Sequence, residues 1–399
     1  MLVALLRDMA RLGYRRFTVS MDRSDRWAAD ALDALSVQGV VPWGWSRHRS
    51  RAEARLRRLR YVHLGIPRLT RALERGHRLR DIGASADPAF VHALHSADLI
   101  ISVGGHRVTT LLSPNLATCQ AHDLALAALS PAPLLLWSQT VGPVAPSAHR
   151  FVRAILNRAS VVAPRDADSV SILGQLGVDG CRVVETVDSA FSLSDLIEPV
   201  CCPSQRPPVV GCAVYAGMKR TPRALEEYVS VLGSAIASLA DRGHSIRFIP
   251  MSHDGADIPT IERVIAMSRC PSACSVADPA LAEADHLAEF ARVRWVLGHK
   301  THSVILSLAV GTPVLALAYH PKTHYFMEQF GLSAHCLDAW PAPRASELSD
   351  AIVRLSSCDL NALSRGMRST AHRLAARVRR DLAQAVAAAL EATGDCRSR

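Results

Sequence analysis

Short apolar runs alternate with longer segments of helical spacing along the whole chain, a pattern that predicts parallel sheets built from strand–helix–strand units. In the first half, residues 17–21, 99–103, 134–137, 161–163 and 182–184 read as strands, and 115–129 reads as an intervening helix. In the second half, 209–214, 245–249, 295–297 and 313–318 read as strands, with helices at 222–240 and 258–267. Between them lies 201–208, Cys-Cys-Pro-Ser-Gln-Arg-Pro-Pro, which has no periodicity and the composition of a linker. Beyond residue 360, alanine, arginine and leucine predict one long helix that ends near Thr393, stops at Gly394 and is placed to strap two lobes together. The expectation is an α/β protein of two Rossmann-like lobes: an N-terminal lobe at 1–200, a linker at 201–208, a C-terminal lobe at 209–360, and a helix and tail at 361–399.

The chain opens on helical spacing rather than on a strand. Leu2, Leu5, Leu6, Met9 and Leu12 share one side, and Gly13 and a strand follow. A doubly wound lobe ordinarily starts with a strand and a ligand-facing loop. The first lobe is therefore expected to begin mid-unit, with that strand and loop missing.

Composition narrows the class. At 399 residues and 49% hydrophobic, the chain is long enough for two buried cores. Its richest apolar stretch, 124–137, is broken by Pro131 and Pro133, so no bilayer span is expected. The first residues lack the basic region and cleavage site of a secretory signal, which points to a cytoplasmic location. Ten scattered cysteines suggest neither a disulfide framework nor a metal site.

The formal net charge is +10, and only Lys219, Lys300 and Lys322 are lysines among 46 basic residues. Arginines crowd 47–60 and 68–80, a face that is either simply solvated or drawn to polyanions, such as anionic lipid at the inner membrane surface. No aromatic residues interleave with these arginines as stacking platforms, so no nucleic-acid partner is expected.

Two polar clusters flank one predicted helix and strand. Gly298, His299, Lys300, Thr301, His302 and Ser303 follow the strand at 295–297 and open a helix. Tyr319, His320, Pro321 and Lys322 follow the strand at 313–318. Residues at a strand's carboxyl end and a helix N-terminus are well placed for an anion, and two of the three lysines fall here. Weaker candidates for substrate contact are Gly104, Gly105 and His106, Gln139, His253 after the strand at 245–249, and Lys219. Asp166-Ala167-Asp168 imitates a metal-binding pair but reads as the start of a helix, and no phosphate-binding loop of the Gly-x-x-x-x-Gly-Lys-Ser/Thr type is present.

The run from Lys300 through His302-Ser303, Gly311-Thr312-Pro313 and Tyr319-x-x-Lys322 resembles the C-terminal signature of polysaccharide pyruvyl transferases. Similar in order and spacing are Ala97–Gly105, Ser138–Pro143, Pro164-Arg165-Asp166 with Ser169, Leu176-Gly177 and Asp188-Ser189-Ala190-Phe191. The resemblance implies a glycosyltransferase-B-like architecture whose lobes face a central cleft. It implies phosphoenolpyruvate as co-substrate with no other cofactor, and a sugar or lipid-linked glycan as acceptor. Arg165 and Lys300 would hold the phosphate and carboxylate, Lys322 would add a further cation, and His302 would be the general acid. Family members often carry arginine where Lys300 stands, which exchanges bidentate anion binding for a point charge. The rival readings are a nucleotide-sugar-dependent glycosyltransferase, with Glu226, Glu227 or Glu283 as a ribose-binding acid, and a catalytically idle binding member of the family.

Overall fold

A computed structural model of the chain describes residues 1–21, 37–42, 51–82, 86–105, 107–111, 113, 115–116, 118–197, 201–215, 221–252, 255–281 and 283–397. These residues form two units. One comprises the described residues up to Ser189 together with those from Ala376 on, and the other Ala190–Ala375.

In the first unit, α1 (Leu2–Arg11) buries Val3, Leu5, Leu6 and Met9, the side its spacing marks out. Strands β1 (Phe17–Met21) and β2 (Val37–Pro42) pair in parallel as a two-stranded sheet. A second parallel sheet runs in chain order through β3 (Ile100–Val103), β4 (Leu134–Gln139), β5 (Val161–Pro164) and β6 (Arg182–Val183). Every residue of β4 and β5 is buried, and strands covered on both faces read as unbroken apolar runs. The helices are α2 (Arg51–Arg60), continued by a π-turn at Tyr61–Gly65 into α3 (Ile66–Glu74), then α4 (Pro88–Ser96), α5 (Cys119–Ala128), α6 (His149–Leu156) and α7 (Ala167–Gln175). Leu73, Phe90, Leu126 and Phe151 from these helices share one core with Leu134 and Leu136 of β4. Helix α5 starts later than the sequence pattern predicts because the Thr118 hydroxyl accepts from the Ala121 amide and fixes the first turn.

The second unit holds a six-stranded parallel sheet: β7 (Val209–Ala213), β8 (Ser245–Phe248), β9 (Cys274–Val276), β10 (Trp295–Gly298), β11 (Val314–Ala318) and β12 (Cys336–Asp338). Their spatial order is β12-β11-β10-β7-β8-β9. Counted within the lobe, that is the 3-2-1-4-5-6 order of a Rossmann fold. Helices α8 (Pro222–Asp241), α9 (Ile258–Ser268), α10 (Glu283–Arg292), α11 (Thr301–Val310), α12 (Pro321–Gln329) and α13 (Ala345–Ser356) complete it. Trp295 and Leu297, Phe248, Tyr228 and Leu315 meet in its core.

The segment at 201–208, expected as a linker, forms a short 3₁₀ turn at Pro203–Gln205 and belongs to the second unit. Buried Arg206 ties it there, donating to the Val293 carbonyl at 2.8 Å and to Thr312 Oγ1 at 2.9 Å. The change of unit falls earlier, at Ser189/Ala190. The final helix, α14 (Leu360–Arg397), runs through Gly394 instead of stopping there, since one helical glycine costs only about 1 kcal/mol. Its residues from Ala376 on belong to the first unit. No described helix is long and apolar enough to cross a membrane.

Candidate active site

In the second unit the strand order turns back between β7 and β10, which are hydrogen-bonded neighbours. The carboxyl ends of strands at such a point flank a crevice that ligands occupy. Beyond β10 come His299 and Lys300, and Lys300 is the N-cap of α11. Beyond β11 come Tyr319 and His320, and His320 is the N-cap of α12, its Nδ1 accepting from the Lys322 amide at 3.2 Å. Two helix N-termini, each a partial positive charge, thus open at one edge of the sheet.

The Lys300 ammonium leans toward the loop after β8. It donates to Ser252 Oγ at 2.8 Å and to the Met251 carbonyl at 3.3 Å, and it stands 5.5 Å from the centre of the Tyr215 ring. Asp257 Oδ2 lies 3.7 Å from it and also accepts from the Met251 amide at 2.9 Å. The carboxylate is buried while a fifth of the lysine side chain (20%) stays exposed, so the cation is steadied without being enclosed.

His299 sits behind this edge among Tyr215, Tyr228, Tyr319 and Trp340. Its Nδ1 is 2.5 Å from the Tyr228 hydroxyl, which accepts from the Tyr215 amide at 3.3 Å. Burial pushes the Tyr228 phenol well above its ordinary pKa and keeps it neutral. The phenol thus keeps a hydrogen that it can give to His299 Nδ1. Tyr215 and Tyr319, half-buried, have ring centres 4.6 Å apart.

His302 stands partly exposed on the first turn of α11, and Lys322 is buried on the first turn of α12. Thr301 and Ser303, expected at the ligand, are taken up by the scaffold. The Thr301 hydroxyl meets Thr323 Oγ1 at 3.0 Å, joining α11 to α12, and the fully buried Ser303 hydroxyl donates to the Lys300 carbonyl at 2.7 Å. His106, His253 and Lys219 lie outside the described residues. The sequence reading missed Asp257, Tyr215 and Tyr228. Asp257 shows no signal in one dimension, because its tie to Lys300 forms only when β8 and β10 flank β7.

The first unit gathers its candidates at the carboxyl ends of β3, β4 and β5. Arg165 is buried, with Nη1 2.5 Å from Asp188 Oδ2 and Nε donating to Thr140 Oγ1 at 2.9 Å. Its positive charge is matched by a carboxylate that is itself inaccessible. Nη1 also stands 3.7 Å from Met1 Sδ. Gln139, fully buried, donates to the Gly105 carbonyl at 2.8 Å and the Thr140 carbonyl at 3.1 Å. Gly104 answers to packing, since a Cβ there would stand 2.0 Å from the Ser138 carbonyl oxygen. Gly105 has φ +144°, outside the range most side chains adopt, with open space around it. Asp166 caps α7, accepting from the Ser169 amide at 2.8 Å, which is the helix-start role its position suggests.

Solved structures with the same arrangement of elements share little sequence. S. aureus MnaA in a co-structure with UDP matches with a TM-score of 0.54 at 11% identity, covering 89% of this chain and 91% of that one. The UDP-N-acetylglucosamine 2-epimerase from Rickettsia bellii matches with a TM-score of 0.52 at 11% identity, covering 94% of this chain and 96% of that one. Such likeness establishes the fold, two Rossmann-like lobes of the glycosyltransferase-B type, and leaves the chemistry open. No curated protein matches the chain. The family model described as polysaccharide pyruvyl transferase matches residues 1–321, which include the whole run from β3 to the first residue of α12. On that match, the chain belongs to the polysaccharide pyruvyl transferase family.

Proposed function

We propose that the protein transfers the pyruvyl group of phosphoenolpyruvate to two hydroxyls of a sugar in a glycan acceptor, forming a cyclic ketal and releasing phosphate. The feature that supports this reading is the placement of Lys300 and His302, and of Lys322 one strand further on, at the two neighbouring helix N-termini that follow β10 and β11. A small ligand with both a phosphate and a carboxylate suits such an edge.

In this reading His302 protonates the methylene carbon of phosphoenolpyruvate, and electron demand passes to the adjacent carbon, which a sugar hydroxyl attacks as its proton leaves. Breaking the bond to the phosphate oxygen expels inorganic phosphate and regenerates an oxocarbenium centre. A second hydroxyl of the same sugar closes the ring and loses its proton. Lys300 and Lys322 hold the anionic groups and stabilise the departing phosphate, with Tyr319 and His320 shaping the same edge. Arg165 contributes N–H donors rather than an uncompensated charge. Gln139 and the open space beside Gly105 are the first unit's candidates for an acceptor hydroxyl.

The nucleotide-sugar alternative draws on the UDP in the S. aureus co-structure and on the Tyr215–Tyr319 ring pair, a surface on which a base could stack. It needs a carboxylate for the ribose. Glu226 is paired with Arg263 at 2.6 Å and Glu227 with Arg223 at 3.0 Å, both on the outer side of α8, which disfavours it. Calorimetry decides between the two. Saturable phosphoenolpyruvate binding, lost in His302→Ala and Lys300→Ala, supports the pyruvyl reading, and binding of UDP without phosphoenolpyruvate binding overturns it.

A further inference from the structure

The helical run formed by α2, the π-turn and α3 carries a surface that the proposed chemistry does not use. Within residues 51–75 stand eight arginines and two glutamates. The inner side of the run is conventional: Tyr61, Leu69, Ala72 and Leu73 are buried in the first unit's core. The outer side is not. Leu56, Leu59 and Leu64 are 59%, 57% and 65% exposed, among the most exposed large apolar residues described. Leu56 and Leu59 are three apart on α2, and Leu64 follows Leu59 by five across the π-turn, where the i to i+5 spacing brings residues to one side.

Arginines border these leucines. Arg55, Arg58 and Arg60 are exposed on α2, as are Arg68 and Arg71 on α3, and none of the five is in an ion pair among the described residues. Uncompensated cations around protruding leucines combine two attractions, one for an anionic surface and one for an apolar layer beneath it. A nucleic acid would use the arginines and leave the leucines in water. An anionic bilayer uses both, because lipid headgroups pair with the guanidinium groups while the leucines enter the acyl boundary.

We propose that this face seats the protein on anionic lipid, with Leu56, Leu59 and Leu64 inserted at the interface and Arg55, Arg58 and Arg60 on the headgroups. The helix then lies along the membrane plane. The proposal is independent of which donor the second unit takes.

The test is co-sedimentation of the full chain with vesicles of phosphatidylcholine alone and with vesicles containing phosphatidylglycerol. Binding is expected only to the anionic vesicles and weakens as salt rises. Arg55→Gln with Arg60→Gln should lower the partition coefficient roughly 25-fold, about fivefold for each cation near the surface. Leu56→Ala with Leu59→Ala and Leu64→Ala should lower it several-fold more than salt alone does, with the melting curve unchanged because all three are exposed. Equal binding to neutral vesicles, or no binding to anionic ones by folded protein, overturns the proposal. So does tighter binding to duplex DNA or RNA that the leucine variant leaves intact.

Discussion

At the carboxyl end of β5 in the first unit, and just past that of β10 in the second, a basic residue stands beside a carboxylate. Arg165 Nη1 is 2.5 Å from Asp188 with both side chains inaccessible. Lys300 Nζ is 3.7 Å from Asp257, with the ammonium side still partly open. The first pair is closed, and Arg165 has little charge left to offer an incoming anion. The second is looser: Lys300 is held at longer range, and if it turns toward a ligand the buried Asp257 carboxylate keeps its hydrogen bond from the Met251 amide. Compensation at short distance builds a scaffold, whereas compensation at longer distance beside helix N-termini leaves a site.

The second unit's edge should therefore show the larger catalytic effect. His302→Ala is expected to reduce kcat by about 10²- to 10⁴-fold, the usual contribution of a general acid, with the melting temperature unchanged. Phosphate release from phosphoenolpyruvate and acceptor, followed over a pH series, checks it. Near-normal turnover would remove His302 from the reaction. The first unit's pair should respond in the opposite currency. Asp188→Ala leaves the Arg165 guanidinium buried without its partner and should cost about 3–5 kcal/mol of stability in denaturant unfolding. If stability were retained and only the KM for phosphoenolpyruvate changed, Arg165 would belong with Lys300 as an open cation.

Lys300→Ala sharpens the contrast from the other side. It releases Ser252 and Met251 and leaves the buried Asp257 carboxylate with its hydrogen bond from the Met251 amide, so stability should fall by about 1–2 kcal/mol, less than for Asp188→Ala. The KM for phosphoenolpyruvate should rise about tenfold or more, with the cation's electrostatic contribution lost. A large drop in melting temperature with KM intact would make Lys300 a structural tether.

The parallel sheets and the two-lobe organisation were legible because buried parallel strands must be apolar on both faces, as β4, β5 and β11 are. Strands β9 and β12 were not, because three-residue edge strands with exposed residues carry no run long enough to register. That Lys300, His302 and Lys322 stand at neighbouring helix N-termini was legible because they lie within one stretch of chain around a single helix and strand. The partners that decide what each cation can do were not. Asp257 reaches Lys300 from another strand–helix connection, and Asp188 reaches Arg165 across 23 positions. Thr301 and Ser303 show the converse limit. Adjacency to a site residue places a side chain near the chemistry, yet the helix's own turn and the neighbouring α12 claim these hydroxyls first.

A third pair lies between the two extremes and yields the smallest effect. Arg247 of β8 grips Glu289 of α10 through Nε at 2.8 Å and the second terminal nitrogen at 2.9 Å, partly exposed. The hydrogen bonds from Arg247 hold the Glu289 carboxyl below its ordinary value of 4.5 against the opposing effect of burial. With the folded value lowered, the pair's contribution is complete above the unfolded carboxylate range and is lost as pH falls through the lowered value. Glu289→Gln should therefore cost up to about 1 kcal/mol near neutral pH, with the gap to wild type closing in acid. Paired unfolding curves from neutral pH into the acid range measure it. A gap that persists unchanged at low pH would mean that packing of the side chain against β8, rather than its charge, supports this face of the second unit.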